Sequence, residues 1–302
     1  MKNVLVTGAG GFIGSWLVNR LADEKINVFA LVRNIKSNIS KIKESEYVKI
    51  IYCDMDDISS LPNLIENVKV DIFYHFAWEG VGGAKRADYE LQLKNVKNTC
   101  SLMETAFKMG CEKFLCAGTV SEKIAENILS MNTAAENNIY AICKSTAHGI
   151  LKVLSRKFGI QLVWMRISNV YGPKNECGNI VNYILDSFKA GITPAMTKGE
   201  QPYDLIYIED LVEALFLMGA RNLSKETYFI GSEETSTLRS LVERIRDSYP
   251  SPVQVDFGAK TDDGLIYQKE WFDVSPLVED TGYHQKFSIE EGIMITVKET
   301  DN

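Results

Sequence analysis

The feature that most constrains this chain is a regular alternation of short apolar runs with longer segments of helical period. Runs rich in β-branched and aromatic residues stand at Val4-Leu5-Val6, Ile26 to Val32, Val48 to Tyr52, Val70 to Phe76, Lys113 to Cys116, Ile160 to Met165 and Glu226 to Ile230. Between them lie amphipathic stretches such as Ile13 to Ala22, Glu90 to Met109, Ala141 to Phe158 and Ile180 to Ala190. A strand without a polar face must be covered on both sides, and helices between parallel strands do this. The expected fold class is α/β, a Rossmann-like doubly wound parallel sheet. From Pro173 onward, where six of the 7 prolines lie, the alternation loosens. The sequence therefore predicts a sheet domain over residues 1–170. Residues 171–302 are expected to form mainly a smaller C-terminal substrate-binding lobe, with some segments returning to the sheet.

The first strand runs into Thr7-Gly8-Ala9-Gly10-Gly11-Phe12-Ile13-Gly14. A strand that ends in a glycine-rich turn and opens a helix is the context a dinucleotide phosphate site demands. Glycines let the backbone approach a pyrophosphate, and the helix N-terminus stabilises its charge. The spacing is Gly8, Gly11, Gly14; Ile13 stands where the G-x-G-x-x-G fingerprint would have its third glycine. Phe12 and Ile13, at the helix start, belong to the same expected cofactor site. The second strand ends in Arg33 rather than the acidic residue that an NAD ribose prefers. A guanidinium there can pair with a 2′-phosphate, so NADP is the expected cofactor, with NAD the alternative. After the third strand, Asp54 and Met55 are candidates for the adenine edge, while Asp56 and Asp57 suit a helix start.

Tyr140 and Lys144 stand at i and i+4, on one face of a helix. A free phenol is a poor acid–base at neutral pH. A neighbouring ammonium and a cationic nicotinamide both favour the phenolate; about three pKa units correspond to roughly 4 kcal/mol. Upstream, the run Phe114-Leu115-Cys116-Ala117-Gly118-Thr119 is a strand ending in a hydroxyl, placed to bond a substrate oxygen. Ser121 is the alternative hydroxyl.

Lysine and arginine number 33 against 40 aspartates and glutamates, a net charge of −7. That balance argues against nucleic-acid binding by counterion release. No window reaches the ~18 apolar residues of a membrane span, so no membrane partner is expected. Cys53, Cys100, Cys111, Cys116, Cys143 and Cys177 form no C-x-x-C pair and no zinc-spaced cluster. Free thiols, no metal site and a cytoplasmic location are expected. The N-terminus runs directly into a strand, so no signal peptide is expected.

Taken together, the Thr7–Gly14 turn, His75-Phe76-Ala77, the set Thr119, Tyr140 and Lys144, the run Arg166 to Pro173 and the run Asp204 to Asp210 resemble the extended short-chain dehydrogenase/reductases. These are the NAD(P)-dependent nucleotide-sugar epimerases, dehydratases and reductases, and the resemblance spans nearly the whole chain. It implies Tyr140 as acid–base, Lys144 on the ribose and phenol, and Thr119 on the substrate hydroxyl. It further implies Asn169 against substrate, and Ala77, Trp78 and Ile167 lining the cofactor. His75 reads as a satisfied core histidine. A homodimer is expected, since relatives commonly pair through helices near the triad.

Two departures narrow the function. Family dehydratases carry Asp-Glu after the triad threonine, whereas Val120-Ser121 stand here and Glu122 is expected only to start a helix. Many relatives carry an arginine, paired with the nucleotide diphosphate, where this chain has Tyr203. Lys174, Lys198 and Arg239 are the candidate replacements. The expected activity is reduction of a 4-keto-6-deoxy sugar nucleotide by NADPH. The alternatives are a nucleotide-sugar 4-epimerase with retained NAD and a non-catalytic, NAD(P)-binding regulatory protein.

Overall fold

The computed structural model describes residues 1–126, 135–136, 138–176, 178–261 and 267–300. Cys177, one of the six expected thiols, lies outside them; the other five cysteines are free. The first half of the chain reads β1 (Asn3–Thr7), α1 (Phe12–Asp23), β2 (Asn27–Val32), β3 (Val48–Tyr52), α2 (Leu61–Leu64), β4 (Ile72–His75), α3 (Tyr89–Lys108), β5 (Lys113–Thr119), α4 (Glu122–Ala125), α5 (Asn138–Phe158) and β6 (Gln161–Ile167). Then follow β7 (Asn169–Tyr171), α6 (Ile180–Lys189), β8 (Ala195–Met196), β9 (Pro202–Tyr203), β10 (Leu205–Tyr207), α7 (Ile208–Ala220), β11 (Thr227–Ile230), β12 (Ser236–Thr237), α8 (Leu238–Asp247), β13 (Asp256–Phe257), α9 (Ser275–Thr281) and α10 (Ile289–Thr300).

Seven strands form one sheet in the order β11-β6-β5-β4-β1-β2-β3. The order departs from β1 to one side and then to the other, which makes the fold a doubly wound, Rossmann-like α/β sheet. Leu5 of β1 lies beside Phe29 of β2 and Phe73 of β4, both parallel. A central strand must be apolar on both faces, and Val4, Leu5 and Val6 have no exposed surface. Edge strand β3 is less covered and leaves Lys49 and Tyr52 in solvent.

The core joins strands to helices. Leu102, Met103 and Ala106 of α3 and Ala147 and Leu151 of α5 are buried in one cluster with Leu5, Phe73, Phe114 and Trp164. Each fully buried large side chain contributes about 1.5–3 kcal/mol. Helix α3 starts where the Asp88 carboxylate accepts the Leu91 N–H at 3.0 Å. After α5, Gly159 takes the left-handed conformation that ends helices, with φ 68°.

The chain divides into two compact units, Met1–Arg166 with Val212–Tyr228, and Ile167–Leu211 with Phe229–Asn302. In the second, β7 pairs in parallel with β10, β8 in parallel with β13, and β9 antiparallel with β12. Buried Asp204 accepts the Ser232 N–H at 3.0 Å, and Asp210 accepts the Lys286 N–H at 2.8 Å. Arg244 forks onto Glu290 at 2.6 and 2.9 Å. Among the described residues, no helix is long and apolar enough to cross a membrane, and no group of His, Cys, Asp and Glu is placed to hold a metal ion.

Candidate active site

Between β1 and α1 the backbone itself is the device. Gly8 has φ 68°, and a Cβ there would lie 2.9 Å from the Ala77 nitrogen. At Gly14 a Cβ would stand 2.2 Å from the Gly8 carbonyl oxygen, so no side chain fits. The Gly11 N–H closes the turn onto that oxygen at 2.9 Å. Helix α1 has Gly11 at its N-cap and no side-chain cap, which leaves its opening N–H groups, at Phe12 and Ile13, uncapped by any side chain. Bare backbone, close packing and a helix N-terminus fit the pyrophosphate of a dinucleotide.

At the end of β2, Arg33 is already paired. Its Nη2 donates to Glu79 at 3.1 Å and its Nε stands 4.0 Å from Asp54, with 59% of the side chain exposed. Lys85 reaches the other oxygen of Glu79 at 2.9 Å. Asp54 caps the 3-10 turn Met55–Ser60 by accepting the Asp56 N–H at 3.0 Å. Met55 is half-buried against the core. Asp56 bonds Lys94 at 2.7 Å and Asn98 at 3.1 Å.

The structure brings Thr119, Tyr140 and Lys144 into one neighbourhood. The Thr119 hydroxyl acts on the Tyr140 phenol, and Thr119 Oγ1 accepts the Ser121 N–H at 3.3 Å. Tyr140 is buried, and burial pushes its phenol up to about 12; Arg86 and the Thr119 hydroxyl pull the other way, while Glu122 adds to the rise. Lys144 turns from the phenol. Its Nζ donates to the Ala117 carbonyl at 2.7 Å and stands 3.8 Å from the Trp78 ring centre but 5.9 Å from that of Tyr140. Sharing a helix face brought the two residues together, yet the ammonium turns to a carbonyl and an indole. Burial lowers it to about 8.

Side chains distant in sequence hold this group. Trp78 meets Tyr140 edge-on, centroids 6.3 Å apart, and its indole N–H donates to Gln92 at 2.7 Å. Glu122 does start α4, but it is also wholly buried. It accepts from the Thr119 N–H at 2.7 Å, the Trp164 indole at 2.8 Å and Arg166 Nε at 3.2 Å. Gly118 makes room: a Cβ there would be 2.3 Å from the Trp164 nitrogen. His75 bonds Thr7 at 2.7 Å and Thr99 at 2.9 Å, and burial lowers it to about 3, so it is a neutral core residue. The Ala77 N–H donates to Thr7 Oγ1 at 3.3 Å. Sequence reasoning missed Gln92, Arg86 and the partners of Glu122, because no local pattern links α3, α4 and β6.

The remaining candidates belong to the second unit. Ile167 closes β6 and is buried; Asn169 donates to the Asp204 carbonyl at 3.2 Å. Tyr203 ends β9, in the pair with β12. Arg239 donates to the Lys198 carbonyl at 3.1 Å and stacks 4.0 Å over the Phe257 ring, so it is engaged within that unit. Lys174 has φ 63° and Lys198 is exposed.

Residues 4–231 match the sequence model of the NAD dependent epimerase/dehydratase family. The chain belongs to that family. It is accordingly an enzyme of an NAD(P)-dependent family of nucleotide-sugar epimerases and dehydratases. It is 24% identical, over 312 residues and 98% of its length, to the trifunctional UDP-glucose 4,6-dehydratase/UDP-4-keto-6-deoxy-D-glucose 3,5-epimerase/UDP-4-keto-L-rhamnose-reductase of Arabidopsis thaliana, and spans 46% of that protein. Its fold matches the UDP-N-acetylglucosamine 4-epimerase of Methanobrevibacter ruminantium M1, in complex with UDP-N-acetylmuramic acid, with a TM-score of 0.82 and 22% identity over 99% of this chain and 98% of that one. It also matches the UDP-glucuronic acid 4-epimerase of Bacillus cereus in complex with NAD, with a TM-score of 0.78 and 19% identity over 98% and 96%.

Proposed function

We propose that this epimerase/dehydratase family member is a nucleotide-sugar 4-epimerase that keeps its NAD bound through the cycle. The observation that carries the choice is the Arg33 guanidinium, 3.1 Å from Glu79 and 4.0 Å from Asp54. A 2′-phosphate drawn to this cation would meet two carboxylates beside it, whereas ribose hydroxyls donate to carboxylates. The epimerase neighbours support the same reading. It departs from the NADPH reductase expected on Arg33 alone.

In this reading Gly8, Gly11 and Gly14, with the N–H groups of Phe12 and Ile13, hold the pyrophosphate. Asp54 and Met55 take the adenosine end, and Ala77, Trp78 and Ile167 line the cofactor. Lys144 holds the nicotinamide ribose. The nicotinamide supplies reversible hydride exchange. The chain's own task is the proton on the sugar 4-oxygen. Tyr140 removes it on oxidation and returns it on reduction, with the Thr119 hydroxyl fixing the same oxygen. Asn169 contacts substrate. Two copies are expected to pair through α3 and α5, where Leu93, Phe107, Ile142, Ile150 and Val153 are exposed apolar side chains.

A second reading, an NADPH-dependent reductase of a 4-keto-6-deoxy sugar nucleotide, draws on the exposure of Arg33, which leaves its guanidinium room to turn. The test is incubation with a panel of sugar nucleotides and no added cofactor, followed by proton NMR. Interconversion of a C4 epimer pair from either side supports the epimerase. No interconversion, together with NADPH consumption on a 4-keto-6-deoxy sugar nucleotide, supports the reductase instead.

A further inference from the structure

Arg86 is a half-buried cation that the proposed reaction does not use. Its guanidinium carbon stands 4.4 Å from the centre of the Tyr140 ring, and its Nε is enclosed without a hydrogen-bond partner among the described residues. Leaving such a donor unpaired costs free energy, and the electron-rich ring face offsets it. The placement is built. Arg86 sits in the 3-10 turn Gly83–Ala87, and its Nη1 closes the preceding loop onto the Val81 carbonyl at 3.3 Å. The same loop is pinned by Gln92 of α3, which has no exposed surface and donates to the carbonyls of Gly80 at 3.0 Å and Lys85 at 2.9 Å. The fit is close: a Cβ on Gly80 would lie 2.9 Å from the Gln92 nitrogen.

We propose that Arg86 is a positioning residue for Tyr140, holding its ring from the loop side and stabilising the phenolate. The proposal rests on Tyr140 as the acid–base. Among the described residues, the groups facing the phenol are Arg86 from the loop, Lys144 from its own helix, Glu122 from α4 and the Thr119 hydroxyl from β5. Lys144 donates to the Ala117 carbonyl and lies over the Trp78 face, 5.9 Å from the Tyr140 ring centre. Glu122 opposes ionisation. Arg86 is therefore the cation that favours it from outside the helix.

The test replaces Tyr140 by a fluorinated tyrosine, whose ionisation falls within the pH range of the folded chain, and follows it by fluorine NMR without cofactor or substrate. Arg86→Met should raise the ionisation midpoint by about one pH unit. Arg86→Lys, which keeps the charge, should stay close to the parent. If Arg86→Met does not fold, Arg86→Gln reads the same loss of charge. An unchanged midpoint in the uncharged variant, or an equal shift in the lysine variant, overturns the proposal. The readout needs no turnover. A shift as expected, with Tyr140→Phe still active, supports the contact while removing the acid–base assignment.

Discussion

The glycine turn and the loop over Tyr140 lie in the same compact unit and work by opposite means. Between Gly8 and Gly14 the structure depends on the absence of side chains: the backbone is packed so closely that a single Cβ would collide with a carbonyl. Between Trp78 and Gln92 the arrangement depends on side chains, with an indole, an amide and a guanidinium around one phenol. The first is a local backbone shape and tolerates almost no substitution. The second is assembled from separate elements, so it can adjust the chemistry of Tyr140 without altering the fold.

The difference can be broken at either end. The largest effect is expected from Tyr140→Phe, which keeps the ring under Arg86 and removes only the proton carrier. Its kcat should fall by about 10²–10⁴-fold while NAD affinity, read by calorimetry, hardly changes. Gly14→Ala should act the other way round. Forcing a Cβ against the Gly8 carbonyl costs about 1–3 kcal/mol, so NAD affinity should fall roughly tenfold to a hundredfold, with a matching drop in Tm. Gly14→Ala with parental affinity and Tm would show that the turn is looser than its geometry implies.

Gln92→Leu tests the loop. It strands the carbonyls of Gly80 and Lys85 and the Trp78 indole, at a cost of about 1–3 kcal/mol in stability. A urea melt unchanged from the parent would mean that Gln92 does not pin the loop. The smallest effect is expected at Glu79→Gln, which frees Arg33 from an exposed ion pair. Such pairs contribute about 0–1 kcal/mol, so NADP affinity should rise by at most about fivefold while that for NAD falls slightly. A larger rise for NAD than for NADP would remove Glu79 from cofactor choice.

This contrast also explains what could be read from the sequence. The sheet was legible because its seven strands leave seven apolar runs, and the turn because strand, glycines and helix are contiguous. Tyr140 and Lys144 were legible through helical spacing. The direction of the Lys144 ammonium was not, since the Ala117 carbonyl reaches it from β5. Glu122 reads locally as a helix start, and only the fold adds Trp164 and Arg166 to its carboxylate. Arg33 reads locally as a phosphate ligand, and only the fold shows Glu79 beside it. Contacts between segments far apart carry no periodicity, so the pattern finds the residue but not its partner.

The claim that decides between a retained and an exchanged cofactor is the preference at Arg33. Its most direct test is calorimetric titration of NAD and of NADP into the chain after bound nucleotide has been removed. NAD is expected to bind more tightly, because the Glu79 and Asp54 carboxylates would accept from ribose hydroxyls and repel a 2′-phosphate. Tighter binding of NADP would contradict it and return the assignment to a reductase that exchanges its cofactor every cycle.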